Sequence, residues 1–341
     1  MKSLILFFSV LLLGYISAQA EDRSEPVAEM LNEKLKSEAF SLGILIQAQG
    51  AYSFENTDFN GGRAWDLGST RIDFRGTVDR NFQYRVRVYF LSQQQNIDAR
   101  VGYRFSDNFR VIAGAFKPYL SRDLDPSPAN LDMVRRARLV GAMMNTLEIG
   151  FSALGNIGNF KYRLGMYNGK GAADIAEQND NRFLHTSRFA YELEPADGHH
   201  IELGVNGAIN RSLDEPVGNT GLTSVSDRVL YGGYLEYDSD LLFGTAEYLR
   251  SDFDAVEFDE QQESITGFYT TLGVKMDPRN ELLVRWDHLS LDLSDDESDR
   301  ILLGWNYYPT SLISFRFNAL AEFRADESAQ FGLTGVFQYH F

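Results

Sequence analysis

The chain has 341 residues, a formal charge of −16 and no cysteine. The acidic balance excludes a nucleic-acid partner and a basic membrane-surface anchor; the missing thiols exclude disulfide staples, thiolate metal sites and cysteine nucleophiles. With 29 Gly, 17 Tyr and 25 Phe, it has the composition of strands with tight turns and aromatic belts.

Residues 1–20 read as an export signal: Lys2 is the positive end, Leu4 to Leu13 the apolar run, and Ala18-Gln19-Ala20 a small-x-small cleavage site. That run is too short to span a bilayer as a helix, and no later stretch approaches the ~20 apolar residues a membrane helix needs. Residues 21–40 form a polar periplasmic leader. Pro26 suits a first helical turn, and Val27, Met30, Leu31 and Leu35 share one stripe, so a short helix and a disordered leader both stay open.

At Leu42 the period switches to two. Leu42, Ile44, Ile46 and Ala48 face one way, and Gly43, Gln47 and Gln49 the other. Phe82, Tyr84, Val86 and Val88 alternate with Gln83, Arg85 and Arg87, and Ile97, Ala99, Val101 and Tyr103 with Asp98, Arg100 and Arg104. Such alternation marks a half-buried strand. Sixteen such runs follow one another, centred near Ile46, Ile72, Val86, Val101, Val111, Phe151, Leu164, Phe189, Leu203, Tyr231, Ala246, Leu272, Val284, Leu303, Phe315 and Val336.

Connections after even-numbered runs are short turns such as Asp79-Arg80-Asn81 and Asp238-Ser239-Asp240. Those after odd-numbered runs are mostly longer and often acidic, as in Ser251 to Ser264 and Ser290 to Asp299. Short turns at one end and long loops at the other are the layout of an outer-membrane barrel. The expected fold is therefore all-β: residues 41–341 form a 16-stranded antiparallel transmembrane β-barrel. Backbone groups must all be paired within the bilayer, so the sheet closes, with its apolar row toward lipid and its polar row toward a lumen. Strand two is less regular: Trp65 and Leu67 share the parity of Arg71 and Arg75, which calls for a bulge or an aromatic lining near that mouth.

Residues 117–138, KPYLSRDLDPSPANLDMVRRAR, are the longest non-alternating piece and read as an inward-folded constriction loop. By parity Arg71, Arg75, Arg85, Arg87, Arg100, Arg104 and Arg110 face inward, opposed on their own strands only by Asp73 and Asp98. With Lys117, Arg122, Arg135, Arg136 and Arg138 of the loop they are candidate pore-lining, anion-binding residues, since a guanidinium fork suits phosphate and carboxylate. The same arginines could instead pair with acids of the loop and pin it to the wall; both readings stand at this point. Across the lumen, Glu148, Glu192, Glu202, Glu236, Glu247 and Asp287 mix with Lys161, Arg163, Arg188, Lys275, Arg285 and Arg316.

Enzyme constellations are poor. His288 and Ser290 would share one strand face near the rim, but the sequence offers them no acid orienter or oxyanion donors, and His199-His200 lies at a turn. No catalytic residue, metal or cofactor is expected.

Several segments are similar to the phosphate-selective porin O and P family: STRIDFRGTV followed by DRNFQYRVRVYF, FRVIAGAFKPYLSRD, NFKYRLGMYNGKG and LLGWNYYP. The final FGLTGVFQYHF, ending in Phe341, resembles the assembly signal of outer-membrane barrels. The resemblance implies a sixteen-stranded barrel in the Gram-negative outer membrane, in contact with its lipid, usually a homotrimer, passing small anionic or polar solutes inward. A departure is that only six lysines follow the signal, one of them (Lys117) in the constriction segment, which argues against a tight phosphate site. The competing expectation is a closed barrel that acts as scaffold or adhesin through its acidic loops.

Overall fold

A computed structural model describes residues 24–55, 59–90, 97–171, 182–211, 213–325 and 327–341; the expected export signal lies outside them. Sixteen antiparallel strands form one closed wall: β1 Ser41–Ser53, β2 Arg71–Val78, β3 Phe82–Tyr89, β4 Ile97–Ser106, β5 Phe109–Phe116, β6 Glu148–Ile157, β7 Phe160–Tyr167, β8 Leu184–Ala196, β9 His199–Asn210, β10 Arg228–Asp238, β11 Leu242–Ala255, β12 Gln261–Asp277, β13 Asn280–Leu291, β14 Asp296–Tyr307, β15 Ile313–Phe323 and β16 Gln330–His340. Each pairs with the next, and β16 pairs with β1 from Ser53↔Gly332 to Leu45↔His340. Closure leaves no sheet edge, as a membrane-spanning sheet requires.

Local chemistry explains the turns. Asp79 and Arg80 between β2 and β3 both take positive φ, 54° and 63°, the backbone of a hairpin turn that matches strand twist. Outward residues such as Val86, Val101, Leu164 and Leu272 are exposed. Their neighbours in the same strands point into the lumen, so the alternation read from the sequence describes the wall.

One irregularity follows that reading and two features differ from it. The bulge near Trp65 is real: Asp66 pairs with Gln49 and Arg71 with Leu45, so β1 spans three residues where the facing segment spans four. The extra residue reverses parity, and Trp65 points outward. The acidic stretches after β11 and β13 are not long loops, since those strands run on and leave only residues 256–260 and 292–295 between them and their partners. Glu263 is wholly buried there; its carboxylate accepts the Leu293 and Ser294 N–H groups at 2.9 and 3.1 Å, so one of these acids shapes a turn instead of facing solvent. Finally, the inserted segment does not stop at Arg138 but continues to Leu147 through a short helix, α2 (Arg138–Met143), preceded in chain order by the leader helix α1 (Ser24–Leu35).

The lumen is not polar throughout. Leu139, Val140 and Met143 of α2 pack with Phe116, Leu124, Leu230, Leu249, Phe253 and Ile265 into a buried apolar cluster. Val217 and Leu222 join it from the β9–β10 loop, where the Asn219 N–H donates to the Gly141 carbonyl at 2.9 Å. Gly267 on β12 makes room, because a Cβ there would lie 2.6 Å from that of Leu139. This wedge reaches from β10–β12 across to Phe116 at the end of β5, and cavities remain along the rest of the β2–β5 wall.

Candidate pore and constriction

The inserted loop is fastened by charge on nearly every side. The buried Glu247 carboxylate of β11 accepts the Ser121 hydroxyl at 2.8 Å and the Arg122 N–H at 2.7 Å, while the Arg122 guanidinium reaches Glu236 of β10. Asp287 of β13 accepts the Arg138 N–H at 3.0 Å, and Arg138 also meets Glu322 of β15 at 3.6 Å. Wall arginines answer in the opposite sense. Arg163 and Arg188 converge on Asp125, Arg285 meets Asp123 at 3.4 Å, and Arg316 donates to the Ala129, Leu131 and Pro128 carbonyls. Removing one member of such a buried set leaves an uncompensated charge, so the set acts as a latch.

Most of the loop's candidate anion binders are therefore engaged. Lys117 donates to the Leu124 and Pro126 carbonyls at 2.8 and 2.9 Å; burial, with Arg136 nearby, pulls its ammonium down to about 6. Arg136 donates to the Asp123 and Pro126 carbonyls, and Arg135 reaches Asn60 at 3.3 Å and has no ion pair among the described residues. Asp132 on the same loop is pushed up to about 6, chiefly by burial.

The β2–β5 wall divides differently. Arg85 and Arg87 both grip Asp73, at 3.0 Å for the Arg85 Nε and 2.8 Å for the Arg87 Nη2. Arg87 also reaches Asp98 at 3.4 Å, and Arg71 donates to the Ser127 hydroxyl of the loop. Arg100 has only a loose pair with Asp98 at 3.9 Å. Arg75, Arg104 and Arg110 have no acid partner among the described residues. Strand register lines these groups up, with Arg75 opposite Arg85, Arg85 opposite Arg100, and Arg104 opposite Arg110. They line two cavities that share Arg110. One, of about 360 Å³, holds Arg75, Arg85, Arg100 and Tyr119; the other, of about 380 Å³, holds Arg104, Lys161 and Arg163.

Of the remaining polar groups, Lys161 bridges Glu192 and Glu202 at 2.5 and 2.7 Å, with His200 3.5 Å from Glu192. Asp299 lies 3.0 Å from the His288 ring, an acid neighbour the sequence did not suggest, whereas His288 makes no hydrogen bond to Ser290 among the described residues. The leader contributes too: Glu38 lines the first cavity, and its carbonyl accepts the Thr77 N–H of β2 at 2.8 Å.

A closed sixteen-stranded barrel with short turns at one end and a long loop latched inside is the build of an outer-membrane porin, a channel and not an enzyme. The chain belongs to the phosphate-selective porin O and P family, whose model matches residues 42–222. No curated protein sequence matches it. Among solved structures it is similar to an anion-selective porin from Comamonas acidovorans, at 13% identity and a TM-score of 0.66 over 89% of this chain and 99% of that one. It is likewise similar to OmpT of Vibrio cholerae in its trimer form (11%, 0.60, 89% and 99%) and to the outer membrane channel DcaP of Acinetobacter baumannii (12%, 0.60, 90% and 99%). At such identities the likeness is one of fold.

Proposed function

We propose that this porin is a diffusion channel with a modest preference for small anions, including phosphorylated and other polar solutes, and without a tight phosphate site. The observation that carries this reading is the set Arg75, Arg104 and Arg110, with loosely held Arg100, facing lumen cavities with no strong acid partner. Fixed positive charge beside a narrow water path favours anions at short range, where screening is weakest. Tight phosphate capture would need several free donors converging on one point, and the loop's cations are instead turned onto carbonyls and carboxylates. Reversal potentials in a salt gradient test this. Replacing Arg75, Arg100, Arg104 and Arg110 by Gln should move selectivity toward cations, and an unchanged potential would refute the assignment.

The protein is further proposed to work as a homotrimer. Strands β2, β3, β5 and β7 have eight residues each, short of the roughly 9–11 that cross a bilayer at a tilt. On the far side β12 has 17 residues and β11 has 14. A low wall that meets a neighbouring copy avoids that mismatch, and outward Ala99, Ala113, Ala115 and Ala153 permit close approach. The trimer form of OmpT is a precedent within the fold. A heat-sensitive oligomer on unboiled detergent gels is expected; a monomer after mild extraction would count against it.

A further inference from the structure

On the outer face of the tall wall, above the apolar band, β13 and β14 place three metal-ligating side chains side by side. His288 stands directly opposite Asp299, and Glu297 opposite Ser290, one outward position further along. Ligand atoms of His288, Glu297 and Asp299 all lie within 4.8 Å of one another. The imidazole is held in place: its ring stacks on Phe268 at 5.1 Å with an interplanar angle of 24°, and its Nδ1 is 3.0 Å from Asp299 Oδ1. Trp286 Nε1 donates to that same oxygen at 2.8 Å. Glu297 has no hydrogen bond or ion pair among the described residues. Two carboxylates thus share a small outward patch with no lysine or arginine paired to either among the described residues. The nearby Arg250 is engaged with Asp252 and Asp292 at 2.9 and 3.6 Å.

We propose that His288, Glu297 and Asp299 form a divalent metal site of the zinc and copper class, bracing β13 against β14 beneath the turn at residues 292–295. One imidazole with two carboxylates suits a borderline transition metal. Calcium would call for six to eight oxygens. The Nδ1 to Oδ1 separation of 3.0 Å matches the span between two ligands at right angles in a tetragonal Cu²⁺ site with bonds of ~2.1 Å, and an opening of a few tenths of an ångström would suit tetrahedral zinc. In binding, the ring carries its proton on Nε2 and offers Nδ1, so the metal replaces the hydrogen bond to Asp299. The divalent charge offsets both carboxylates, and water completes the coordination.

Trp286 is a built-in reporter. Cu²⁺ added to the tag-free full chain refolded in detergent should quench tryptophan emission saturably, at one equivalent per chain, and a large excess of Zn²⁺, the weaker binder at such sites, should reverse the quenching. His288→Ala and Glu297→Gln should each weaken apparent affinity at least tenfold, while heat-modifiable gel mobility confirms that both barrels are folded. Trp286→Phe should abolish most of the quenching yet leave the bound Cu²⁺ signal in electron paramagnetic resonance intact. Quenching that never saturates, or that is the same in folded His288→Ala, would overturn the site.

Discussion

The low wall, β2 to β5, and the tall wall, β8 to β15, are both studded with inward arginines, yet they use them in opposite ways. On the tall side Arg188, Arg285 and Arg316 are nearly inaccessible and each holds the inserted loop through a carboxylate or a row of carbonyls. On the low side Arg75, Arg104 and Arg110 face cavities of about 360 and 380 Å³ with no acid paired to them among the described residues. Residue type and strand parity are the same in both places. What separates a latch from a selectivity group is the partner, and the partner arrives with the loop. Asp123 and Asp125 spend the loop's negative charge on one side, leaving the other side positive.

The largest effect expected from disturbing this division is at the latch. Replacing Asp287 and Glu322 together by Ala should strand the Arg138 guanidinium, which is mostly buried and meets both carboxylates, and destabilise the barrel by ~3–5 kcal/mol in folding titrations into lipid. Single-channel currents should become larger and noisier as the loop detaches. Next comes the outer surface. Leu272→Arg on the tall wall should cost ~2–4 kcal/mol at the bilayer midplane, whereas Val86→Arg on the low wall should chiefly dissociate the oligomer, seen as monomer on unboiled gels. Equal effects of the two on oligomer state would remove the contrast.

Selectivity comes third. Neutralising Arg75, Arg100, Arg104 and Arg110 should shift the reversal potential toward cations more than neutralising Arg85 and Arg87, whose charge Asp73 already offsets. The pH dependence is smaller. Lys117 and Asp132, both displaced to about 6, each gain a proton as pH falls through that value. One gains positive charge and the other loses negative charge, so anion preference should rise between pH 7 and pH 5. A preference that falls over that range would exclude both groups from the path. The smallest change is expected at the outer mouth: replacing Asp254, Glu257 and Asp259 by their amides should alter selectivity only at low salt, since at ~0.15 M charges beyond ~8 Å are largely screened.

Much of the fold could be read from local signals. Period-two runs and turn residues such as Asp79-Arg80 act within a few positions, so strand number, order and facing followed from neighbours in the chain. The latch could not be read that way. Arg285 and Asp123 are 162 positions apart and Arg138 and Asp287 149, and nothing local tells a paired arginine from an unpaired one. The end of the inserted segment was missed for a related reason. Leu139 to Met144 forms an apolar run whose burial needs Leu249, Phe253 and Ile265 from strands far down the chain. The eventual length of β11 and β12 was hidden because acids such as Asp252 and Glu263 read as loop, although their backbones go on pairing.

The apolar wedge has an electrical consequence as well as a packing one. Hydrocarbon polarises far less than water, so field lines leaving Arg75, Arg100, Arg104 and Arg110 are excluded from that side and crowd into the remaining conduit. Walls of low dielectric constant focus the potential of a single-sign surface in this way. A few guanidinium groups without a close acid partner among the described residues therefore command the whole aqueous cross-section, where the same groups in a fully wetted barrel would govern only their own neighbourhood. The side chains that narrow the passage also act as its insulation.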